Sequence, residues 1–406
     1  MAELFKPSRE DEVQGAVRWA IENGKSLEIV GHGSKRLIGC PFEADAVLDM
    51  TGLAGVTLYE PEELVLSARA GTTMVAIEAL LASRGQYLAF EPINYGALFG
   101  QSGLGTIGGT IAANLSGPRR VRAGAARDHL LGVVAVSGHG ETFRSGGRVV
   151  KNVTGYDLCK LIAGSWGTLA VITEVTIKVL PQPPVEATVL AFGLDENAAL
   201  TAMTKAMGLP CNVSAAAHLP DYVAVAFEGL LGTEATTAFR IEGMAAAVAH
   251  GVAAVEGLLR SVTARASSTL EELESRMLWR GIRDVRAFRV GSPSGERALW
   301  RVSTAPSRCF EFVRQISPAS QLFYDWAGGL LWIATRPSPD CGAGEIRDGL
   351  AAVGGHATLI RAPESVRASV GAFMPETGPL APLTRRVKEG FDPKGVLNPG
   401  RMWVGI

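Results

Sequence analysis

Three glycine-rich turns, each set against a β-rich stretch, constrain this chain more than any other feature. They are Gly31-His32-Gly33-Ser34, the run Gly103-Leu104-Gly105-Thr106-Ile107-Gly108-Gly109-Thr110-Ile111-Ala112-Ala113-Asn114, and Gly164-Ser165-Trp166-Gly167-Thr168. Glycine has no Cβ, so it permits positive φ and lets the backbone approach a ligand closely. A turn of successive N–H groups makes a concave nest for an anion, and a pyrophosphate needs several such donors. The stretch 107–115 can open a helix whose N-terminal dipole adds to the nest. Ser34, Thr106 and Asn114 stand beside these turns and offer polar groups to phosphate, ribose or ring edges. One such turn alone is weak evidence, because glycine also serves tight turns that bind nothing. Gly103 to Gly108 spells G-x-G-x-x-G, but the dinucleotide fold that uses this motif places a strand directly before it. Residues 94–101 read as loop, and that reading is rejected.

The elements around the turns follow from periodicity. Ser8 is placed to cap a helix with Val13, Ala16, Val17, Ala20 and Ile21 on one face, closed by Gly24. Strands are expected at 27–30, 46–50, 64–70, 130–136, 141–144 and 169–179. Helices are expected after Thr72 or Thr73 and at 156–162. The run Leu180-Pro181-Gln182-Pro183-Pro184 is the best domain boundary in the chain. Beyond it strands are predicted at 186–192, 213–218 and 222–227, and helices at 196–207 and 236–249. A strand–helix–strand–strand–helix–strand order follows at 298–303, 307–316, 322–326, 330–334, 344–353 and 356–360, the split βαβ arrangement. Residues 267–289 read as helical. Two such units side by side would make one antiparallel sheet covered by helices, in an α+β protein divided near residue 181.

Composition narrows the function classes. Of 406 residues, 47% are hydrophobic and 19% charged, which excludes global disorder. The net charge of −1, with no block of like charge, gives no electrostatic footprint for nucleic acid. No apolar run reaches the ~20 residues that span a bilayer, and the first residues carry no apolar leader region. The five cysteines are scattered without a C-x-x-C pair, so disulfides, iron–sulfur ligation and structural zinc lack support. No ligand spacing points to a metal, and reduced thiols suit a cytosolic protein.

The three turns together resemble the FAD-binding domain of the vanillyl-alcohol oxidase (PCMH) type. Gly108-Gly109-Thr110-Ile111-Ala112-Ala113-Asn114 looks like that family's I-G-G-x-x-A-x-N pyrophosphate loop. Gly167-Thr168-Leu169-Ala170-Val171-Ile172-Thr173-Glu174-Val175 looks like its G-T-L-G-I-I-T-E-V strand. Phe391 to Met402 resembles the C-terminal F-D-P-x-G-x-L-N-P-G run of the 2-hydroxy-acid branch. Ser116-Gly117-Pro118-Arg119-Arg120, Lys151 to Leu158, Asp325 to Gly329 and Gly354 to Leu359 resemble the smaller FAD-binding subunits of bacterial glycolate oxidases.

The resemblance implies a PCMH-type FAD domain at 1–181, a cap at 182–384 and a segment at 385–406 that returns to the FAD domain. It implies FAD held by Gly31, His32, Gly33, Ser34, Thr106, Gly108, Gly109, Ala113, Asn114, Gly117, Gly167, Ile172 and Asn398. It also implies partners: a catalytic FAD subunit and an iron–sulfur subunit, in the cytoplasm or peripherally at the inner face of the plasma membrane.

Departures matter. Relatives that tether flavin carry G-G-H-S; here His32 stands one place off, so FAD is expected to be noncovalent. The larger subunit's H-x-G-D-G-N motif is absent, and Gly354-Gly355-His356-Ala357 stands where that subunit has G-E-H-G. His356 is left as the one candidate base, with Arg361 and Arg367 as candidate cations. The cluster Arg119, Arg120, Arg122 and Arg127 reads as a solvated face or as a contact with phosphate or an acidic partner; Trp166 reads as core. Three functions remain in view: an FAD-carrying subunit that relays electrons in glycolate oxidation, a self-sufficient 2-hydroxy-acid dehydrogenase, or a structural subunit.

Overall fold

The computed structural model describes residues 3–101, 103, 105–148, 155–403 and 406. Residues 151–154 of one quoted motif, and Leu104 of the second turn, lie outside them. The strands Glu3–Phe5, Leu27–Val30 and Ala46–Asp49 form a small parallel sheet with Ala46–Asp49 in the middle. Helix Glu10–Asn23 covers it, burying Val13, Ala16, Val17 and Ala20 against Leu27, Ala46 and Leu48. That helix starts after Arg9 rather than at Ser8. The Ser8 N–H instead donates to Glu12 Oε2 at 2.7 Å, so the first-turn carboxylate reaches back. Gly24 ends the helix at φ 61°.

A second sheet holds five antiparallel strands in the order Val56–Glu60, Val65–Arg69, Ala170–Lys178, Leu130–Ser137, Thr142–Gly146. Helix Met74–Ala82, capped by the Thr73 hydroxyl, packs beside it. The first glycine turn leaves strand Leu27–Val30 of the small sheet, the second leads into helix Ile107–Ala112, and the third enters strand Ala170–Lys178.

The cap is one eight-stranded antiparallel sheet. Its first unit runs Val185–Phe192, helix Glu196–Met207, Val213–Leu219, Thr236–Gly243, helix Ala245–Arg260 and edge strand Ser268–Leu270. Its second runs Leu299–Ser303, helix Pro306–Val313, Gln321–Asp325, Leu330–Ala334, helix Ala343–Val353 and His356–Arg361. The units join edge to edge where His218 pairs with Tyr324. Two differences from the sequence reading stand out. Residues 222–227 are helical, because Pro220 starts a turn with Asp221 in its first position. Residues 236–243 are a strand, and the helix starts at Ala245 after Gly243 turns at φ 144°. The period of two in that strand sends Phe239 and Ile241 to one face and Ala238 to the other.

Both faces of the cap sheet are buried. Helices Glu196–Met207, Ala245–Arg260, Pro306–Val313 and Ala343–Val353 cover one face, with Val189, Phe239, Trp300 and Ile333. The other face, with Leu190, Ala217, Phe323 and Trp332, lies on Ile93, Tyr95, Leu98 and Leu115 of the N-terminal domain and on Leu278, Trp279 and Ile282 of helix Glu272–Arg283. This explains the near-continuous apolar strands. Among the described residues no helix is long and apolar enough to cross a membrane.

The seam between the domains carries a buried ion network. Glu91 accepts from Arg119 at 2.6 Å and from both terminal nitrogens of Arg240 at 2.9 Å. Arg119 also binds Glu242, through Nε at 2.9 Å, and approaches Glu186 at 3.4 Å. Glu186 in turn accepts from the Ser275 hydroxyl at 2.7 Å. Burial opposes ionisation here, yet Arg240 and Arg119 hold Glu91 below the usual carboxylate range and Glu242 at about 2. Burial pushes Glu186 upward instead, so two cations are balanced by two carboxylates and a third that resists ionisation.

Removing one partner strands the others in a low dielectric. We expect Arg240→Ala to cost about 3–5 kcal/mol of unfolding free energy, measured by urea denaturation. A loss of only a few tenths would mean that the network does not clamp the seam.

Candidate functional site

The three turns converge on a cleft of about 730 Å³. Leu27–Val30 delivers the first turn, helix Ile107–Ala112 points its N-terminus at it, and Gly167 precedes strand Ala170–Lys178. Each glycine is there for its own reason. A Cβ on Gly31 would stand 2.5 Å from Thr106 Oγ1, so the first two turns touch. The Thr106 hydroxyl caps the helix by accepting from the Gly109 N–H at 3.3 Å. A Cβ on Gly108 would stand 2.6 Å from that of Ala70, so Gly108 serves packing. A Cβ on Gly109 would meet nothing closer than 3.4 Å and would project among cleft-lining groups. Gly33 and Gly167 adopt φ of 72° and 74°.

Asn398 returns from the C-terminal segment and ties the turns together. Its Oδ1 accepts from the Ile29 N–H at 2.8 Å, and its Nδ2 donates to the Trp166 carbonyl at 2.8 Å. The segment is anchored by buried Lys388, whose Nζ donates to the Thr168 carbonyl at 2.6 Å and to Asp392 at 2.7 Å.

Of the residues singled out in the sequence, Gly31, His32, Gly33, Ser34, Thr106, Gly108, Gly109, Ala113, Gly167, Ile172 and Asn398 line this cleft. Asn114 lines a smaller neighbouring cavity instead. Gly117 sits at the domain seam, where its carbonyl accepts from Trp326 Nε1 at 2.9 Å. His356 lies exposed at the start of its strand and lines neither space. The candidate cations Arg361 and Arg367 are committed elsewhere. Arg361 donates to the carbonyls of Arg297, Leu98, Phe288 and Ser294, and Arg367 donates to that of Gly39. None of Arg119, Arg120, Arg122 and Arg127 lines the large cleft, which removes their phosphate reading. Trp166 is not simple core, for it is partly exposed and walls both spaces.

Two cleft residues escaped sequence reasoning. Lys35 Nζ makes a 3.1 Å bond to the Ser34 hydroxyl. Arg401 donates to the Lys35 carbonyl at 2.8 Å and stacks over Trp166 at 5.7 Å. Neither forms an ion pair among the described residues. Burial, and then the charge of Arg401, pull Lys35 down to about 8; burial pulls Arg401 down to about 10. Two confined cations under a helix N-terminus and a backbone cradle offer the charge and the donors that suit a diphosphate. The signal was present: Lys35 directly follows the first turn, and Arg401 lies inside the quoted C-terminal run.

Cleft and fold together define a flavin-nucleotide protein, and comparison with known proteins agrees. The family model described as "FAD binding domain" matches residues 2–146. "Glycolate oxidase subunit GlcE" of Escherichia coli K12 is 33% identical over 390 residues, covering 96% of this chain and 96% of that protein. "Glycolate oxidase subunit GlcD" of Bacillus subtilis 168 is 30% identical over 202 residues, covering 50% of this chain and 41% of that protein. Among solved structures, p-cresol methylhydroxylase with substrate bound aligns at a TM-score of 0.71 with 14% identity, over 99% of this chain and 88% of that one. An alkyldihydroxyacetonephosphate synthase aligns at 0.72 with 16% identity, over 98% and 75%. The chain belongs to this family of FAD-binding oxidoreductases. Its fold is of the PCMH type, and its cofactor is FAD.

Two outcomes test the cleft. Gly109→Val should give soluble, folded protein that no longer retains FAD, whereas Gly108→Ala should lower stability; full flavin occupancy in Gly109→Val would misplace the diphosphate cradle. FAD affinity should also fall as pH rises through about 8, where Lys35 loses its proton, and Lys35→Met should flatten that dependence in a fluorescence titration.

Proposed function

We propose that this chain is the FAD-carrying subunit of a glycolate-oxidising complex, and that it holds FAD noncovalently and relays electrons. The supporting observation is the end-to-end similarity to a glycolate oxidase subunit, joined to a cleft suited to a diphosphate. The names of its relatives point to a multi-subunit enzyme. Its partners are a catalytic flavoprotein and an iron–sulfur subunit.

The residues suit that role. Gly31 to Lys35, Gly109 and Arg401 hold the diphosphate, and Asn398 fixes the two turns that flank it. When bound, FAD supplies an acceptor for a hydride and a donor of single electrons. His32 is exposed at the cleft, in the order Gly31-His32-Gly33-Ser34 that differs from the tethering motif. Oxidising a 2-hydroxy acid also needs a base at the hydroxyl. His356 lines neither space, and among the described residues no group of three or more His, Cys, Asp or Glu side chains could hold a metal. Hydride abstraction therefore belongs to the partner flavoprotein.

After acid precipitation the flavin should stay in the supernatant. On anaerobic mixing, glycolate, D-lactate and L-lactate should leave the flavin of the isolated chain oxidised, and bleaching should follow addition of the catalytic partner. Rapid bleaching of the isolated chain would defeat the relay and favour a self-sufficient dehydrogenase.

A further inference from the structure

Strands Val185–Phe192 and Thr236–Gly243 lie side by side in the cap, and their register sets Glu186 directly opposite Glu242. Side chains in that relation stand about 4.5–5.5 Å apart at Cβ, and like charges there repel. The repulsion is confined, because the two residues are only 3% and 6% exposed. Both carboxyl groups reach the same nitrogen, Nη2 of Arg119. They are not served equally. Glu242 takes bonds from Arg119 Nε at 2.9 Å and from Nη2, and lies 3.6 Å from Arg240 Nε. Glu186 has Arg119 only at 3.4 Å, and its other oxygen accepts from the Ser275 hydroxyl at 2.7 Å.

The surroundings hold no further cation for Glu186. Strand Thr236–Gly243 presents Arg240 and Glu242, and the N-terminal domain presents Arg119, Glu91 and Tyr87. Glu91 already occupies both terminal nitrogens of Arg240 and Nη1 of Arg119. Helix Glu272–Arg283 brings Ser275 and Arg276, and Arg276 is paired with Glu272 at 2.7 Å. Edge strand Ser268–Leu270 has no ionisable side chain. Helix Ala245–Arg260 packs on the opposite face, with Ala187 and Val189. Two guanidiniums thus face three carboxyl groups. A buried carboxylate without its own cation is costly, and two carboxyl groups sharing a site resolve this by keeping one proton. Burial opposes ionisation of both. It prevails at Glu186, whereas Arg240 and Arg119 outweigh it at Glu242. The pair lines an open cleft of about 870 Å³, through which a proton can come and go.

We infer that Glu186 and Glu242 share one proton in the closed molecule, and that this proton latches the cap onto the FAD domain. Arg119 and Glu91 belong to one domain, and Glu186, Glu242 and Arg240 to the other. Opening the seam wets the pair, and the proton passes from Glu186 to water; closing takes it up again. Above the ordinary glutamate range closure therefore binds a proton. Rising pH then favours the open seam, until Glu186 has lost its proton in the closed state as well. Below that range Glu91 and Glu242 become protonated and lose their pairs, so strong acid also loosens the seam. None of these five charged groups lines the cofactor cleft, and the latch holds whether or not the flavin relays electrons.

Urea unfolding of the FAD-loaded chain from about pH 5 to about pH 9, beside Glu186→Gln, tests the shared proton. The Gln amide can accept from Ser275 and donate to Glu242, as the protonated acid does. The two proteins should be close in stability at the acid end. As pH rises the variant should become the more stable, the ratio of unfolding constants widening by up to about tenfold per pH unit. Glu242→Gln should cost stability at every pH, because Arg119 loses a partner, yet show no such widening against Glu186→Gln, because the one carboxyl group left can ionise. Hydrogen exchange at the Arg119 amide, which donates to Glu91 at 2.7 Å, reads the seam itself. Exchange in the parent relative to Glu186→Gln should rise with pH in the same way. If Glu186→Gln does not fold, unfolding the parent in weak buffer near neutral pH should release about one proton more than unfolding Glu242→Gln. A gap between parent and Glu186→Gln that stays constant with pH, or equal proton release, would overturn the shared proton. A widening gap in urea with equal Arg119 exchange in the two proteins would overturn the latch.

Discussion

The seam between the two domains depends on Arg119 and Arg240. The cap sheet could pack on the FAD domain through its apolar face in several registers, because hydrophobic contact is not directional. The ion network removes that freedom. Arg240 grips both oxygens of Glu91 from the cap side, and Arg119 reaches from the FAD side to Glu242. Each carboxylate is shared or bidentate, so a shift of either domain breaks several bonds together. The network lies next to the loop that forms the smaller cavity. Arg119 follows Gly117 by two residues, and the Gly117 carbonyl holds the Trp326 indole on which Arg120 and Arg301 stack. The geometry of that cavity is therefore inherited from the clamp.

A second constraint closes the cofactor cleft from the opposite end of the chain. Helix Leu380–Phe391 brings Lys388 and Asp392 into the interior as a pair one helical turn apart. Asp392 accepts from the Val396 and Leu397 N–H groups, which turns the chain beside strand Leu27–Val30. Leu27 and Leu397 then pair in parallel, and Asn398 arrives at φ 43° with its amide spanning Ile29 and Trp166. Both amide ends serve the backbone, so Asn398 acts as a brace between two turns. A side chain without both a donor and an acceptor could not make the two bonds.

Most of the cofactor cleft was legible because its chemistry is backbone chemistry. Glycine runs are local in sequence, and the turns they make are local in space. The second β-α-β-β-α-β unit was legible for the same reason, since its strands and helices differ in period. What stayed hidden depends on contacts between distant segments. The strand Thr236–Gly243 was read as helix because its alternation is blurred by Ala238 and Arg240, both of which face the buried seam. Gly117 was placed at the cofactor although its neighbours are Glu91, Arg283 and Trp326 of the seam. Arg119 looked like part of a solvated cluster, and only the fold brings it to three carboxylates separated by up to 151 residues in sequence from Glu91 to Glu242.

The contrast between the seam and the cofactor cleft carries its own physical meaning. At the seam Arg119 and Arg240 meet carboxylates, and folding satisfies those charges without help. In the cofactor cleft the reverse holds. Lys35 and Arg401 crowd it with no ion pair among the described residues. Repulsion and desolvation there work against the folded chain, which the rest of the structure must offset. Cations in that condition persist where a ligand supplies the missing charge, because binding then removes the penalty and adds charge-assisted hydrogen bonds. A diphosphate would answer Lys35 and Arg401 in this way. The two spaces share Ala113 and Trp166, so the same indole that borders the cofactor cleft also borders the smaller cavity. Asn398, bonded to the Trp166 carbonyl, keeps the backbone beneath that ring in place.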